Sequence, residues 1–154
     1  MIQERVPLKN KSQTAVGMKK LINKYYNDLK NYVVNVRGKR VPVENLTIEE
    51  FHNVVRNIPY RQDTKPKEVI ARPRHLLNHR KLGLDCKKKG VLMAAFFKLK
   101  GIPYRLIGSS SNPNRRIHHV FPQAFLNGEW CNMDATYNYY RPYEKKRVTK
   151  YEIL

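Results

Sequence analysis

Residues 118–137, "HHVFPQAFLNGEWCNMDATY", constrain this chain more than any other stretch, because an Asn-Gly pair sits between two runs suited to strands. Asn-Gly readily takes the left-handed backbone of a two-residue hairpin turn, and the flanking alternation supplies the strands. With Asn127 and Gly128 as the turn, Leu126 pairs with Glu129, Phe121 faces Asp134 and His119 faces Thr136. Directly paired residues project to the same face. His119 and Asp134 thereby become diagonal neighbours, with Cβ atoms about 7 Å apart, a gap that a carboxylate and an imidazole can bridge. Phe125 and Trp130 share that face nearer the turn, and Cys131 points to the other side.

Upstream the period is helical. Met18, Leu21, Ile22, Tyr25, Tyr26, Leu29, Tyr32 and Val33 recur at spacings of three and four, predicting a helix from Thr14 to about Val34. Gly38 and Pro42 then break the pattern. Thr47 and Glu50 form a capping box that opens a helix with Phe51, Val54, Val55 and Ile58 facing inward. Pro66 and Pro73 punctuate a segment holding a turn or two of helix. In "GLDCKKKGVLMAAFF", residues 83–97, Asp85 is the N-cap of a helix that Gly101 and Pro103 end. "YRLIG" reads as a strand and "SSSNPNRR" as a flexible basic loop. Helices first and an antiparallel sheet second make an α+β layout. Length predicts one domain over residues 1–154, with residues 1–13 as a basic arm.

Cys86 stands at the start of the central helix with Lys87, Lys88 and Lys89 behind it, where the helix dipole disfavours cations. Two readings follow. A thiol at a helix N-terminus, beside cations and an imidazole, becomes a reactive thiolate; alternatively Cys86 is an inert buried thiol and the lysines are a solvated face. The whole chain has 31 Lys+Arg against 12 Asp+Glu, a net charge of +19. That balance draws it to a polyanion, whether nucleic acid, an anionic envelope polymer or membrane, or an acidic protein surface.

Cys86 and Cys131 make no disulfide framework and no zinc-ribbon spacing, and His75 with His79 supplies only two ligands of a metal set. Neither a metal nor a cofactor is expected. The opening "MIQERVPLKNKSQ" has no apolar core for a secretion signal, and "VLMAAFF" is too short to span a bilayer. The expectation is a soluble chain, cytoplasmic or virion-associated. Arg115 and Arg116, in the loop before His119, suit a clamp on an acidic substrate, and Trp130 is a further substrate-binding candidate.

A glycine shortly before a cysteine at a helix start, "GIPYR" after the helix, "HVF", and "GEW" followed by "MDAT" occur in that order. Over residues 81–137, with a weaker echo in "IPYRQD", the chain resembles the transglutaminase-like cysteine enzyme superfamily. The resemblance implies a papain-like fold in which the nucleophile's helix packs on an antiparallel sheet. It also implies Cys86 as nucleophile, His119 as base and Asp134 as the group orienting the imidazole. His118 competes for the base role but lies on the other face of its strand. Two positions depart from the pattern: lysines follow the cysteine where acidic or small polar residues are common, and "DAT" replaces "DPT". The implied chemistry is acyl transfer, hydrolysing peptide or amide bonds, cell-wall peptide among them. Protein crosslinking is a second outcome, and a catalytically silent basic virion protein that binds nucleic acid is a third. Short proteins of this kind are also encoded by bacteriophages, and the Asn-, Lys- and Tyr-rich composition suits an AT-rich genome.

Overall fold

In the computed structural model, which describes residues 5–7, 11–63, 69–111, 116–146 and 150–154, the helices come first and the main sheet second. Strand β1 (Arg5–Pro7) pairs antiparallel with β4 (Val69–Ala71), Val6 opposite Ile70. Of the segment expected as a basic arm, residues 1–4 and 8–10 lie outside the described residues. Residues 5–7 form a strand because β4 offers them backbone partners, and α1 (Lys11–Tyr25) begins three residues earlier than its apolar stripe.

The first helix also ends sooner than its periodicity predicts. After Tyr25 the chain tightens into a 3₁₀ turn, Tyr26–Leu29, and then enters a hairpin of β2 (Val33–Val36) and β3 (Lys39–Pro42). Two causes act together. Asp28 is buried and held by Arg72 Nε (2.8 Å), Arg72 Nη2 (2.6 Å) and the Arg74 N–H (3.1 Å), which fixes the turn against a distant segment. "VVNV" is β-branched and fits a pleated surface, with Val34 buried and Val33 exposed. Spacings of three and four happened to overlap this strand's alternation. Further on, α2 (Ile48–Arg56) opens on the predicted capping box: Thr47 Oγ1 accepts from Glu50 N–H, and Glu50 Oε1 from Thr47 N–H. Pro73 occupies the first turn of α3 (Pro73–Asn78), where its missing N–H costs nothing.

Helix α4 (Cys86–Leu99) is the centre of the molecule. Val91 to Phe97 are buried without interruption, so this helix is enclosed on every side rather than amphipathic. Helices α1, α2 and α3 pack against it, and Phe51 stacks on Phe96 with ring centroids 4.6 Å apart. The sheet closes the other side in the order β7-β6-β5-β8, comprising β5 (Tyr104–Ser110), β6 (His119–Leu126), β7 (Glu129–Asn132) and β8 (Lys150–Ile153). One apolar cluster joins helices and sheet. This mixed helix and antiparallel-sheet architecture is the α+β layout expected. Strand β8 had no signal beyond a charged, tyrosine-rich tail. No helix among the described residues is long and apolar enough to cross a membrane.

The Asn-Gly turn forms as predicted. Asn127 (φ 52°) and Gly128 (φ 83°) are both left-handed, and Leu126 pairs with Glu129 and Phe125 with Trp130. The return strand is shorter than expected, stopping at Asn132. Met133 N–H still donates to the Pro122 carbonyl (3.0 Å), but Pro122 has no N–H to return, so the ladder ends there.

Candidate active site

Three segments converge at the N-terminal end of α4. The first is the helix start. Asp85 caps it, its Oδ1 accepting from the Lys88 N–H at 3.0 Å, and this leaves Cys86 as the first helical residue. Before it, Gly83 (φ 91°) runs so close to the chain at Pro59–Arg61 that an added Cβ would lie 2.7 Å from Arg61 Cβ. Glycine is required there by both the backbone angle and the space. That approach is fixed by Leu84 N–H on the Pro59 carbonyl (2.9 Å) and Arg61 N–H on the Leu84 carbonyl (3.2 Å).

The second and third segments are β6 and the strand return after Met133. His119 Nε2 lies 2.6 Å from Oδ2 of Asp134, which follows the end of β7 by two residues. Cys86, at the start of α4, acts on the same imidazole and favours its charged form. Burial works against the charged imidazole, but Asp134 and Cys86 outweigh it and push His119 up to about 9. Asp134 is buried, which alone would raise it. The bonds and charges of His119 and Lys146 instead hold it well below the usual carboxylate range. Its Oδ1 accepts from both the N–H (3.0 Å) and the hydroxyl of Thr136. His118 is exposed and turns its Nδ1 to the Arg116 carbonyl (3.3 Å), away from Asp134.

The three lysines after the cysteine are all engaged. Lys87 pairs with Asp85 Oδ2 at 3.0 Å, and Lys88 pairs with Asp63. Lys89 is 1% exposed and donates to the carbonyls of Ile58 (2.6 Å) and Thr136 (2.7 Å). Local carboxylates therefore offset two of the charges that the helix dipole disfavours. The third ties the end of α2 to the strand return beside Asp134. The solvated face of the sequence reading is absent.

A match to the transglutaminase-like superfamily family model takes in residues 30–135, well over half the chain. The chain belongs to the transglutaminase-like superfamily. That superfamily is one of cysteine-dependent enzymes, and its papain-like fold is the arrangement of α4 against the sheet seen here. A crystal structure from Cytophaga hutchinsonii, of a protein provisionally assigned as a cysteine protease, is similar at 17% identity and a TM-score of 0.45. The similarity covers 80% of this chain and 39% of that one, so this transglutaminase-like chain aligns with about two fifths of that protein. No curated protein matches the sequence.

Other candidates lie apart from this transglutaminase-like centre. The Trp130 ring lies tilted against Phe125 (centroids 5.1 Å apart) under the Arg105 guanidinium (4.3 Å) at the turn end of the hairpin. Phe125, its partner in the ladder, is six residues along β6 from His119, about 20 Å in an extended strand. The structure does not bring Trp130 to Cys86. Arg116 is exposed three residues before His119, and Arg115 lies outside the described residues. The rings of His75 and His79 lie tilted against each other at 4.3 Å, but the described residues contain no group of three or more metal-ligating side chains.

Sequence reasoning missed three neighbours of the site. His52 is fully buried on α2 and donates from Nε2 to the Asp134 carbonyl (2.8 Å); burial pushes its pKa down and keeps it neutral. Its position beside Phe51 on the inward face of α2 was the available signal. Tyr60 bridges to Leu84, two residues before Cys86, with its ring 4.9 Å from that of Tyr137. Burial raises its phenol, and the nearby Tyr137 and Cys86 raise it further. Lys146, in the tail, reaches Asp134 Oδ2 at 2.6 Å.

Proposed function

We propose that this chain is an acyl-transfer enzyme that hydrolyses peptide or amide bonds through Cys86, His119 and Asp134. The observation that carries the reading is the His119 imidazole, bonded to Asp134 at 2.6 Å and favoured in its charged form by Cys86 at the start of a helix. With its pKa near 9, His119 holds a proton at neutral pH, and Cys86 is the nucleophile. The thiolate attacks the amide carbonyl, and His119 delivers its proton to the leaving amine, giving a thioester. Charge on the tetrahedral oxygen is met by the Cys86 N–H, which has no intrahelical partner at the first position of α4. Water, activated by the now neutral His119, resolves the thioester; an amine in its place would make the reaction a crosslinking one.

The test is the pH dependence of iodoacetamide labelling at Cys86, with Cys131 as internal control. Burial and Glu129 raise the Cys131 thiol, so it stays unreactive at low pH. Rapid labelling of Cys86 at about pH 6, lost in His119→Ala, is expected. Titration of Cys86 near about 8.5, indifferent to His119, would overturn the reading.

The net charge of +19 supports a second property, attachment to an anionic substrate or nucleic acid. Binding to a DNA oligonucleotide should weaken steeply between about 50 and 200 mM salt as counterion release is lost. Binding that ignores salt would remove the electrostatic basis. Virion association and cell-wall peptide as substrate belong to the same proposal, and Arg115 and Arg116 are its candidates for gripping an acidic group.

A further inference from the structure

Asp134 Oδ2 is shared between two cations. His119 Nε2 and Lys146 Nζ each lie 2.6 Å from the same oxygen. Lys146 is not a surface lysine that happens to fall nearby. Its side chain is 13% exposed, its ammonium lies 3.4 Å from the centre of the Tyr140 ring, and Phe121 flanks it at 5.5 Å. The Tyr140 carbonyl is in turn held by Arg56 Nη1 (3.1 Å) from α2, so the segment carrying these groups is fastened across the back of the site. An aromatic face and a carboxylate together make a built seat for one ammonium.

We infer that Lys146 is a positioning residue whose charge divides the field of Asp134 and so limits how tightly His119 keeps its proton. The inference rests on the proposed Cys86–His119 pair. Two like charges on one carboxylate oppose each other, and removing one strengthens the hold of the carboxylate on the other. Among the described residues, the other charged or titratable groups around this centre include Cys86 and Lys89 from α4, His52 and Arg56 from α2, Tyr60 on the Cys86 side, and Tyr137, Tyr140 and Glu144 from the tail. Burial keeps His52 and Tyr140 neutral at pH 7. Lys89 is occupied by two carbonyls, so Lys146 is the cation in direct competition with the imidazole. Nothing in the sequence pattern around residue 146 marks it. The juxtaposition arises from the fold.

The experiment follows the His119 imidazole by NMR titration in the native chain, Lys146→Met, Lys146→Arg and Cys86→Ala. Lys146→Met should move the His119 pKa upward by about one pH unit, and Lys146→Arg, which keeps the charge, should leave it within a few tenths of native. Thermal unfolding of both variants checks that the tail remains docked. If Lys146→Met leaves the titration unmoved while Lys146→Arg is folded and native-like, the inference is overturned. Cys86→Ala separates this from the function itself, since loss of the thiolate should lower the His119 pKa. An unchanged value there removes the Cys–His pair, yet leaves an upward shift in Lys146→Met as support for the shared carboxylate.

Discussion

Cys86→Ala is expected to abolish amide hydrolysis, by about 10⁴-fold or more, while thermal unfolding changes by only a few degrees. The two parts of this expectation have different origins. The thiol is the group that would form the thioester, and the methyl group left by alanine is no nucleophile. The helix start, by contrast, is held by groups the substitution does not touch: the Asp85 cap, the Leu84 and Arg61 backbone bonds and the Lys89 anchor. Deleting one nearly buried sulfur atom costs on the order of 1 kcal/mol. The measurement is turnover of a mixed peptide library read by mass spectrometry, with circular dichroism as the control for folding. Hydrolysis retained in the folded variant would rule out covalent catalysis at this position.

Lys89→Met is the second large effect, and it falls on stability first. Two buried carbonyls, of Ile58 and Thr136, lose their donor, and each unsatisfied acceptor costs about 1–3 kcal/mol. Relief from burying an ammonium offsets part of this. A net loss of about 2 kcal/mol is expected, which lowers the melting temperature by roughly 4–8 °C for a chain of this size. The pH dependence carries a distinct signature. Burial pushes the Lys89 pKa down to about 8, with partial compensation from Asp134, against 10.5 for an ordinary lysine. Between these values the unfolded chain holds more protons on this residue than the folded one. Its contribution to stability therefore rises from pH 8 to about 10.5 in the native chain and is flat in Lys89→Met. Unfolding curves at pH 7 and about 9.5 would show the gap between the two proteins widening. A melting temperature equal to native at both values would mean that the carbonyls find other partners. Activity should fall as well, since Thr136 sits two residues from Asp134 and small displacements of an orienting group are costly.

These two residues also show what was legible in the sequence. The His119–Asp134 juxtaposition could be read because a single local device, the Asn-Gly turn, sets the register of both strands. Cys86 at a capped helix start was legible for the same reason: Asp85 and Lys88 are three residues apart, and their bond is local. Lys89 and Lys146 were not legible. A lysine run reads as a solvated face unless the two carbonyls or the carboxylate that receive it are known, and Ile58, Thr136 and Asp134 are 12 to 47 residues away in the chain. The β2–β3 hairpin escaped for a related reason. Its strands are set by the Asp28 anchor to Arg72 and Arg74, which no local periodicity reports. The short β7 was readable in principle, since Pro122 withholds the next ladder bond.

The crowding around Asp134 limits what that carboxylate can do. An ionised carboxylate offers about four acceptor positions. Here the Thr136 N–H and hydroxyl occupy one oxygen, and His119 with Lys146 occupies the other. The group is saturated and 3% exposed, so it has no site left on which to order a solvent molecule. In the proposed mechanism Asp134 therefore cannot act as a second general base in breaking down the thioester. In that mechanism the whole traffic of protons, out to the leaving amine and back from the incoming water, runs through one imidazole. The rate of the second half-reaction is then set by how readily that single ring gives up and recovers its proton.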